Sequence, residues 1–296
     1  MLTSDQNRKI NEIVEEFKEA ADFYRMEYSE DLMGMFRDFG CMLLLKCKVD
    51  TEGKADLERL LEGRHKLKGT VKRQLMTVSE ELAQLWEPGE QDGSGDTGEY
   101  EGSQNVREMF QTALEEIFHF CLYSKGGKNR YLLPEETAKP LLRLLTFPEG
   151  MMAGNEGLVV LDTQCGAGSA LMAASRYLKN LRLMGYEKDE EMWAAAVIMS
   201  QLSGLEMELH LEDGARADLY ESCDLVISNP VYGTDTIKDE ELIDQLPGEL
   251  KTVRGRYHME LIRSMQALNF DGKAMLIVPN SFLFANRTES MKVRKW

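Results

Sequence analysis

From Leu158 onward, short apolar runs alternate with helical stretches, and this alternation constrains the fold more than any other feature of the 296-residue chain. Leu158–Asp162, Leu181–Glu187, Glu206–Leu211, Cys223–Ser228 and Lys273–Val278 read as strands, because short runs rich in Val, Ile and Leu suit buried pleated positions. Between them, Ala167–Leu178, Asp189–Leu202, Lys238–Leu246 and Tyr257–Leu268 carry helical spacing, the third stopped by Pro247-Gly248. Strands separated by whole helices pair in parallel, since a crossover helix returns the chain to the same end of the sheet. The expected class is α/β, a doubly wound and mostly parallel sheet.

The first part of the chain has a different character. Ile10, Ile13, Val14, Phe17, Ala20, Ala21 and Tyr24 recur at three- and four-residue spacing, with Ser4 or Asp5 placed to cap the start. Further helices are expected through Leu32–Leu44, Asp56–Leu61, Val71–Trp86 and Val106–Tyr123. No strand pattern appears, so residues 1–124 read as an all-helical domain and residues 125–296 as the α/β domain. Residues 87–105, rich in Gly and acid and without Lys or Arg, read as a mobile loop. Arg64–Arg73 is the most basic stretch; it is a solvated loop and helix start, or else a phosphate contact.

A net charge of −16 weighs against tight DNA binding by the chain alone, because Lys and Arg carry phosphate recognition. A local basic face or a partner subunit would make up the deficit. Five cysteines without a Cys-x-x-Cys pair argue against a disulfide framework or a zinc site, and the four histidines form no ligand spacing, so no metal is expected. Cys41, Cys47 and Cys121 sit in apolar helical patterns and read as core thiols. Nothing approaches the ~20 apolar residues that span a bilayer, and Met1–Asp5 lacks the regions of a signal peptide, so a cytoplasmic protein is expected.

Four loops, each closing its own strand, carry the chemistry. Asp162-Thr163-Gln164-Cys165-Gly166-Ala167-Gly168 is an acidic strand end followed by a Gly-x-Gly turn and a helix. Glycines there let backbone approach a ligand, and the helix start aims free N–H groups at it. Glu187, twenty-five residues after Asp162, is placed to grip the two hydroxyls of a ribose. Asp213, before Gly214, can accept from the amino group of an adenine. Asn229-Pro230-Val231-Tyr232 offers an amide oxygen, a backbone carbonyl and an aromatic face to a planar, amine-bearing group. Read alone, any of these is an ordinary turn. In this order they line the carboxyl edge of one parallel sheet, where open α/β folds bind ligands.

The combination resembles the S-adenosylmethionine-dependent amino-methyltransferases. More closely, residues 106–296 resemble the methylation (M) subunit of type I restriction–modification systems and related adenine-N6 DNA methylases. The resemblance rests on Asp162–Gly168, where the family has Asp-Pro-x-Cys-Gly-x-Gly, and on Asn229–Tyr232, where it has Asn-Pro-Pro-Tyr or Asn-Pro-Pro-Phe. It extends to Lys128–Pro134, similar to a family Gly-x-Tyr-x-Thr-Pro stretch, and to Gly272–Phe284. The helical amino-terminal region is also what that family carries.

The resemblance implies a Rossmann-like S-adenosylmethionine-dependent methyltransferase sheet preceded by an all-helical domain. The cofactor is S-adenosyl-L-methionine, bound by Tyr131, Pro134, Asp162, Gln164, Cys165, Gly166, Gly168, Glu187, Asp213 and Asn229. The Asn229 side-chain oxygen and the Pro230 carbonyl accept from the adenine amino group, and Tyr232 stacks on a base flipped out of the duplex. DNA is expected as the substrate, reached through a separate specificity subunit, with homo- or hetero-oligomers expected and no membrane or metal. Thr163, Leu133 and Val231 stand where the family has Pro, Thr and Pro, and Val231 frees a backbone angle that proline would hold. The family continues past the point of Trp296, so the catalytic domain is expected to lack its last two strands. Two other readings stay open: a protein N5-glutamine methyltransferase, which uses a similar Asn-Pro-x-Tyr, and a cofactor-binding or interaction protein with weakened catalysis.

Overall fold

The computed structural model describes residues 2–29, 31–49, 54–62, 67–86, 101–124, 132–145, 157–219, 222–230, 236–286 and 288–296. The chain divides into two compact units: Met1–Arg130 with Val197–Leu205, and Tyr131–Ala196 with Glu206–Trp296.

The first unit is helical: α1 (Ser4–Glu27), α2 (Met33–Lys46), α3 (Ala55–Glu62), α4 (Gly69–Ala83) and α5 (Glu101–Leu122). Thr3, rather than Ser4 or Asp5, caps α1. Its Oγ1 accepts from the Gln6 N–H while its own N–H donates to Gln6 Oε1 at 2.7 Å, a reciprocal capping box that neither Ser4 nor Asp5 can form from inside the first turn. The stripe from Ile10 to Tyr24 is buried as its spacing requires. Phe17 meets Phe39 edge-on at 5.0 Å and Phe36 meets Phe118 at 5.1 Å, tying α1, α2 and α5 through offset aromatic contacts. Gly40 is needed where α2 meets Ile198, since a methyl there would lie 2.4 Å from the Ile198 Cδ1. Cys41, Cys47 and Cys121 are buried thiols.

Helix α5 begins at Glu101, five residues before the expected start; residues 87–100, where the rest of the expected loop falls, lie outside the described residues. Propagation explains the extension: once α5 is anchored through Phe110, Leu114 and Ile117, each added turn residue gains a hydrogen bond without a new nucleation cost. Arg64, His65 and Lys66 of the basic stretch also lie outside the described residues.

The second unit opens with α6 (Glu135–Leu144), then β1 (Leu158–Asp162), α7 (Ser169–Tyr177), β2 (Leu181–Glu187), α8 (Glu190–Ser203, whose residues from Val197 belong to the first unit), β3 (Met207–Leu211) and β4 (Cys223–Ser228). It continues with α9 (Glu240–Asp244), a 3₁₀ turn at Gly248–Leu250, α10 (Arg256–Gln266), β5 (Leu268–Leu276), α11 (Asn280–Phe284) and α12 (Thr288–Lys295). All five strands are parallel, in the order β3-β2-β1-β4-β5. The order reverses between β1 and β4, so a crevice opens outside their carboxyl ends.

The fifth strand differs from the expected Lys273–Val278. It starts at Leu268, which pairs with Cys223, and the register then shifts so that Lys273–Leu276 faces Leu225–Ser228. Asp271 absorbs the irregularity at φ 67°, a left-handed conformation that Asp tolerates. Helix α9 is shorter than the expected Lys238–Leu246, starting where Asp239 Oδ1 accepts from the Leu242 N–H. Among the described residues no helix is long and apolar enough to cross a membrane.

Candidate active site

The turn after β1 is built by its glycines. Gly166 and Gly168 take φ 55° and 78°, left-handed values that cost other residues about 1–2 kcal/mol each. They reverse the chain so that Gly168 stands at the start of α7. The Cys165 N–H donates to the Tyr186 carbonyl at 2.9 Å and the Gly168 N–H to the Cys165 carbonyl at 2.8 Å, so the turn is hydrogen-bonded to β2 and to itself. The Cys165 side chain points into the sheet, where a methyl at Gly185 would meet its Sγ at 2.8 Å. Burial pushes this thiol well above its usual range, with the Asp162 and Glu187 carboxylates acting in the same sense, so Cys165 packs as a neutral apolar group.

Asp162 is buried, and its Oδ1 accepts from the Gln164 N–H at 3.0 Å. Burial pushes its carboxyl up to about 7; the Gln164 hydrogen bond opposes that, and the neighbouring Glu187 adds to it. Glu187 binds the turn from the other side. Its Oε2 accepts from the Gly166 N–H at 3.0 Å and its Oε1 from the Asp189 N–H at 2.7 Å. Burial raises the Glu187 pKa against these hydrogen bonds. Each oxygen has one further lone pair, which leaves room for a diol.

Thr163, at the family's proline position, is buried, and its hydroxyl lies 2.9 Å from that of Ser264 on α10. Behind it the chain passes so close that a methyl at Gly214 would lie 2.3 Å from the Thr163 carbonyl oxygen. Gly214 therefore lets the loop after β3 lie against the loop after β1. Asp213 sits on that loop. Its Oδ1 accepts from the Ala215 N–H at 3.2 Å, and its Oδ2 accepts from the Arg256 guanidinium at 2.7 Å. Burial disfavours the Asp213 anion, but the Arg256 hydrogen bond and charge outweigh it and hold the pKa below its ordinary value.

Arg256 also donates through Nε to Glu260 at 2.7 Å. Glu260 is only 3% exposed; burial raises its pKa, while Gln164 and Arg256 act against the rise. Arg256, Glu260 and Ser264 thus connect α10 to Asp213, Gln164 and Thr163. Sequence reasoning missed these three. Their spacing of four was the available signal, since it puts three polar groups on one face of a helix.

At the end of β4, Asn229 is half-buried and Pro230 buried. The strand is held to its last residue, because the Ser228 carbonyl accepts from the Ile277 N–H at 2.9 Å. The Ser228 hydroxyl beside them is fully buried with no partner among the described residues. The segment before α6 is tied to the glycine turn, with the Leu133 N–H donating to Ser169 Oγ at 3.1 Å, and Pro134 occupies the α6 amino-terminal cap position. The structure therefore brings Pro134, Asp162, Gln164, Cys165, Gly166, Gly168, Glu187, Asp213, Asn229 and Pro230 to the carboxyl edge of one sheet. Tyr131, Val231 and Tyr232 lie outside the described residues. Among the described residues no group of three or more His, Cys, Asp or Glu is placed to hold a metal ion.

A five-stranded parallel sheet that reverses between β1 and β4, with a glycine turn and acidic strand ends along one edge, has the fold of the S-adenosylmethionine-dependent methyltransferases. Residues 107–296 match the model of the N-6 DNA Methylase family, and the chain belongs to that family. It is similar to a candidate class I S-adenosylmethionine-dependent methyltransferase from Listeria monocytogenes at 17% identity and TM-score 0.64, covering 98% of this chain and 78% of that one. It is also similar to a type I restriction–modification system methyltransferase subunit from Streptococcus thermophilus, at 17% identity and TM-score 0.59, covering 97% and 78%. No curated protein sequence gives a significant match.

Proposed function

We propose that the chain is an S-adenosylmethionine-dependent DNA adenine-N6 methyltransferase, the modification subunit of a restriction–modification-like system that receives its target sequence from a separate specificity subunit. The observation that carries this reading is the position of Asn229-Pro230 on β4, directly across the switch point from the glycine turn of β1. Neighbouring strands lie about 4.8 Å apart, so a group held by one loop reacts with a group held by the other without a long reach.

The residues present suit the cofactor. Glu187 has acceptor capacity for a ribose hydroxyl, the glycines of the turn let its backbone come close to a ligand, and Asp213 gives a second acidic group after a strand. When bound, S-adenosylmethionine supplies an electrophilic methyl group. The work of the chain is then positional. The lone pair of an adenine amino nitrogen is delocalised into its ring. Acceptance of its two N–H bonds by the Asn229 side-chain oxygen and the Pro230 carbonyl draws the nitrogen toward a pyramidal geometry, which localises that lone pair on the nitrogen. Hydrogen bonds of this kind strengthen as the nitrogen becomes positive, so the site favours the transition state over the ground state. Tyr232 is the stacking partner in this reading, worth about 1–3 kcal/mol per base.

Calorimetric titration with S-adenosylmethionine, followed by methyl transfer to mixed DNA and to a glutamine-bearing protein fragment, tests the proposal. Transfer to DNA is expected. Transfer only to glutamine assigns the chain to the N5-glutamine chemistry, and no cofactor binding by folded protein removes both enzyme readings. Asn229→Ala is expected to abolish transfer and leave cofactor affinity within about twofold; unchanged turnover would refute the role of Asn229.

A further inference from the structure

A cleft of about 750 Å³ opens beside this edge, and none of its lining residues belongs to the cofactor or acceptor set named above. Four cations line it, from four segments that the topology gathers: Lys188 after β2, Arg216 after β3, Lys238 before α9 and Arg256 at the start of α10. Among the described residues Asp239 is the one carboxylate in the lining. Even with Asp213 and Glu260, which pair with Arg256, counted alongside Asp239, the described groups here keep one more cation than anion, in a chain whose net charge is −16.

The two arginines are held in place by carboxylates. Arg216 Nη2 lies 2.5 Å from Asp239, and Arg256 donates through Nε and Nη2 to Glu260 and Asp213. A guanidinium carries five N–H donors, so these pairs orient each fork without using all of it. Lys188 and Lys238 are exposed, and neither forms an ion pair among the described residues. Asp239 is already occupied, pairing with Arg216 and capping α9. The partly buried Arg256 and the exposed Arg216, Lys188 and Lys238 together suit an anion with several acceptor oxygens.

We propose that this cleft binds the phosphodiester backbone of the acceptor DNA strand, beside the nucleotide whose base Asn229 receives. The inference rests on the DNA reading above, because Thr236, Ile237 and Lys238 follow Asn229 by only seven to nine residues in the sequence. The shape favours a backbone over a free phosphate. The cleft is open and far larger than one phosphate, so a strand can pass through it, whereas a site for a small ion closes around its ligand. The cations supply affinity and register, and base identity is read elsewhere.

Anisotropy of a fluorescent single-stranded deoxyoligonucleotide bound by the whole chain tests this without reference to methyl transfer. Binding is followed over about 50 to 200 mM salt for the wild type and the exposed-lysine variant Lys188→Ala/Lys238→Ala. The double variant is expected to bind on the order of tenfold more weakly at the lowest salt, with the slope of log K against log salt reduced by roughly 1.4, about 0.7 per lost contact. Displacement of the strand by inorganic phosphate at constant ionic strength would instead mark a small-anion site and overturn the proposal. An unchanged slope in the variant, or no binding by the wild type, would overturn it as well. Loss of methyl transfer in Asn229→Ala with strand binding intact separates the two claims, since it tests the acceptor site alone.

Discussion

The charge state of Asp162 offers the sharpest quantitative test of the site. Its carboxyl is 2% exposed and its pKa moves from 3.8 to about 7 on folding, chiefly through burial. About three units at 1.36 kcal/mol each mean that ionising Asp162 costs up to ~4 kcal/mol more in the folded chain than in the unfolded one. The sign follows from the raised folded value. Below about pH 4 both states hold the proton and nothing is lost. As pH climbs, the unfolded chain sheds it first, so stability falls progressively until pH passes the folded pKa near 7, and is then level. Asp162→Asn removes the titration and keeps an oxygen for the Gln164 N–H. Its new amide hydrogens add a penalty of about 1–3 kcal/mol that does not vary with pH. The informative quantity is therefore the change in the difference between the two proteins. Urea unfolding at pH 5, 6, 7 and 8 should show the variant gaining on the wild type by roughly 2–3 kcal/mol over the range. Carboxylates that are not coupled to Asp162 cancel in the difference. A flat difference would refute the neutral, buried Asp162, and a variant that falls behind as pH rises would mean that the site stabilises the anion.

Two packing predictions accompany it. Gly185→Ala places a methyl 2.8 Å from Cys165 Sγ and 3.0 Å from Leu209 Cδ2, and should destabilise the fold by about 1–3 kcal/mol in thermal unfolding, with Cys165→Ala in the same chain recovering part of the loss. No loss in the single variant would end the packing role given to Cys165. Arg256→Met leaves Asp213 and Glu260 without their shared cation. Breaking a buried pair costs about 3–5 kcal/mol, and the 26% exposure of Arg256 places the expected loss at the low end or below it, while the Asp213 pKa should rise in an NMR titration. An unmoved Asp213 titration would refute the pairing.

The strands and their loops were legible in the sequence because each rests on local signals. Apolar runs end at acidic or Asn-Pro positions, and the two glycines sit where φ must be positive. Less legible was anything that depends on a partner far along the chain. Thr163 looks like a plain departure from the family's proline until Ser264, a hundred residues on, is found bonded to it. Glu187 and Asp213 read as ligand groups from their places at strand ends, yet each also has a structural duty, to the glycine turn and to Arg256. The β5 boundary was missed because Asp271 and Gly272 look like a turn before a strand, whereas the register shift against β4 makes them an irregularity within it.

The anchoring of the acceptor loop bears on the substitution at Val231. A valine there leaves φ free where the family's proline restrains it, so the restraint must come from the flanks if Asn229 and Pro230 are to hold one geometry. The near flank is the end of β4, pinned through the Ser228 carbonyl to Ile277. The far flank is pinned as well, since Thr236 bridges Gly255 and the Ile237 N–H donates to the Arg254 carbonyl at 2.7 Å. Residues 254 and 255 are in turn held by Glu289, whose two oxygens accept from the Arg254 and Gly255 N–H groups at 2.9 and 3.2 Å. Gly255 leads directly into Arg256, the cation on Asp213. One carboxylate on α12 thereby steadies both the segment that Thr236 and Ile237 pair with and the start of the helix that carries Arg256 to Asp213. Both described flanks of this stretch are therefore fixed, at Ser228 and at Thr236-Ile237, without a second proline.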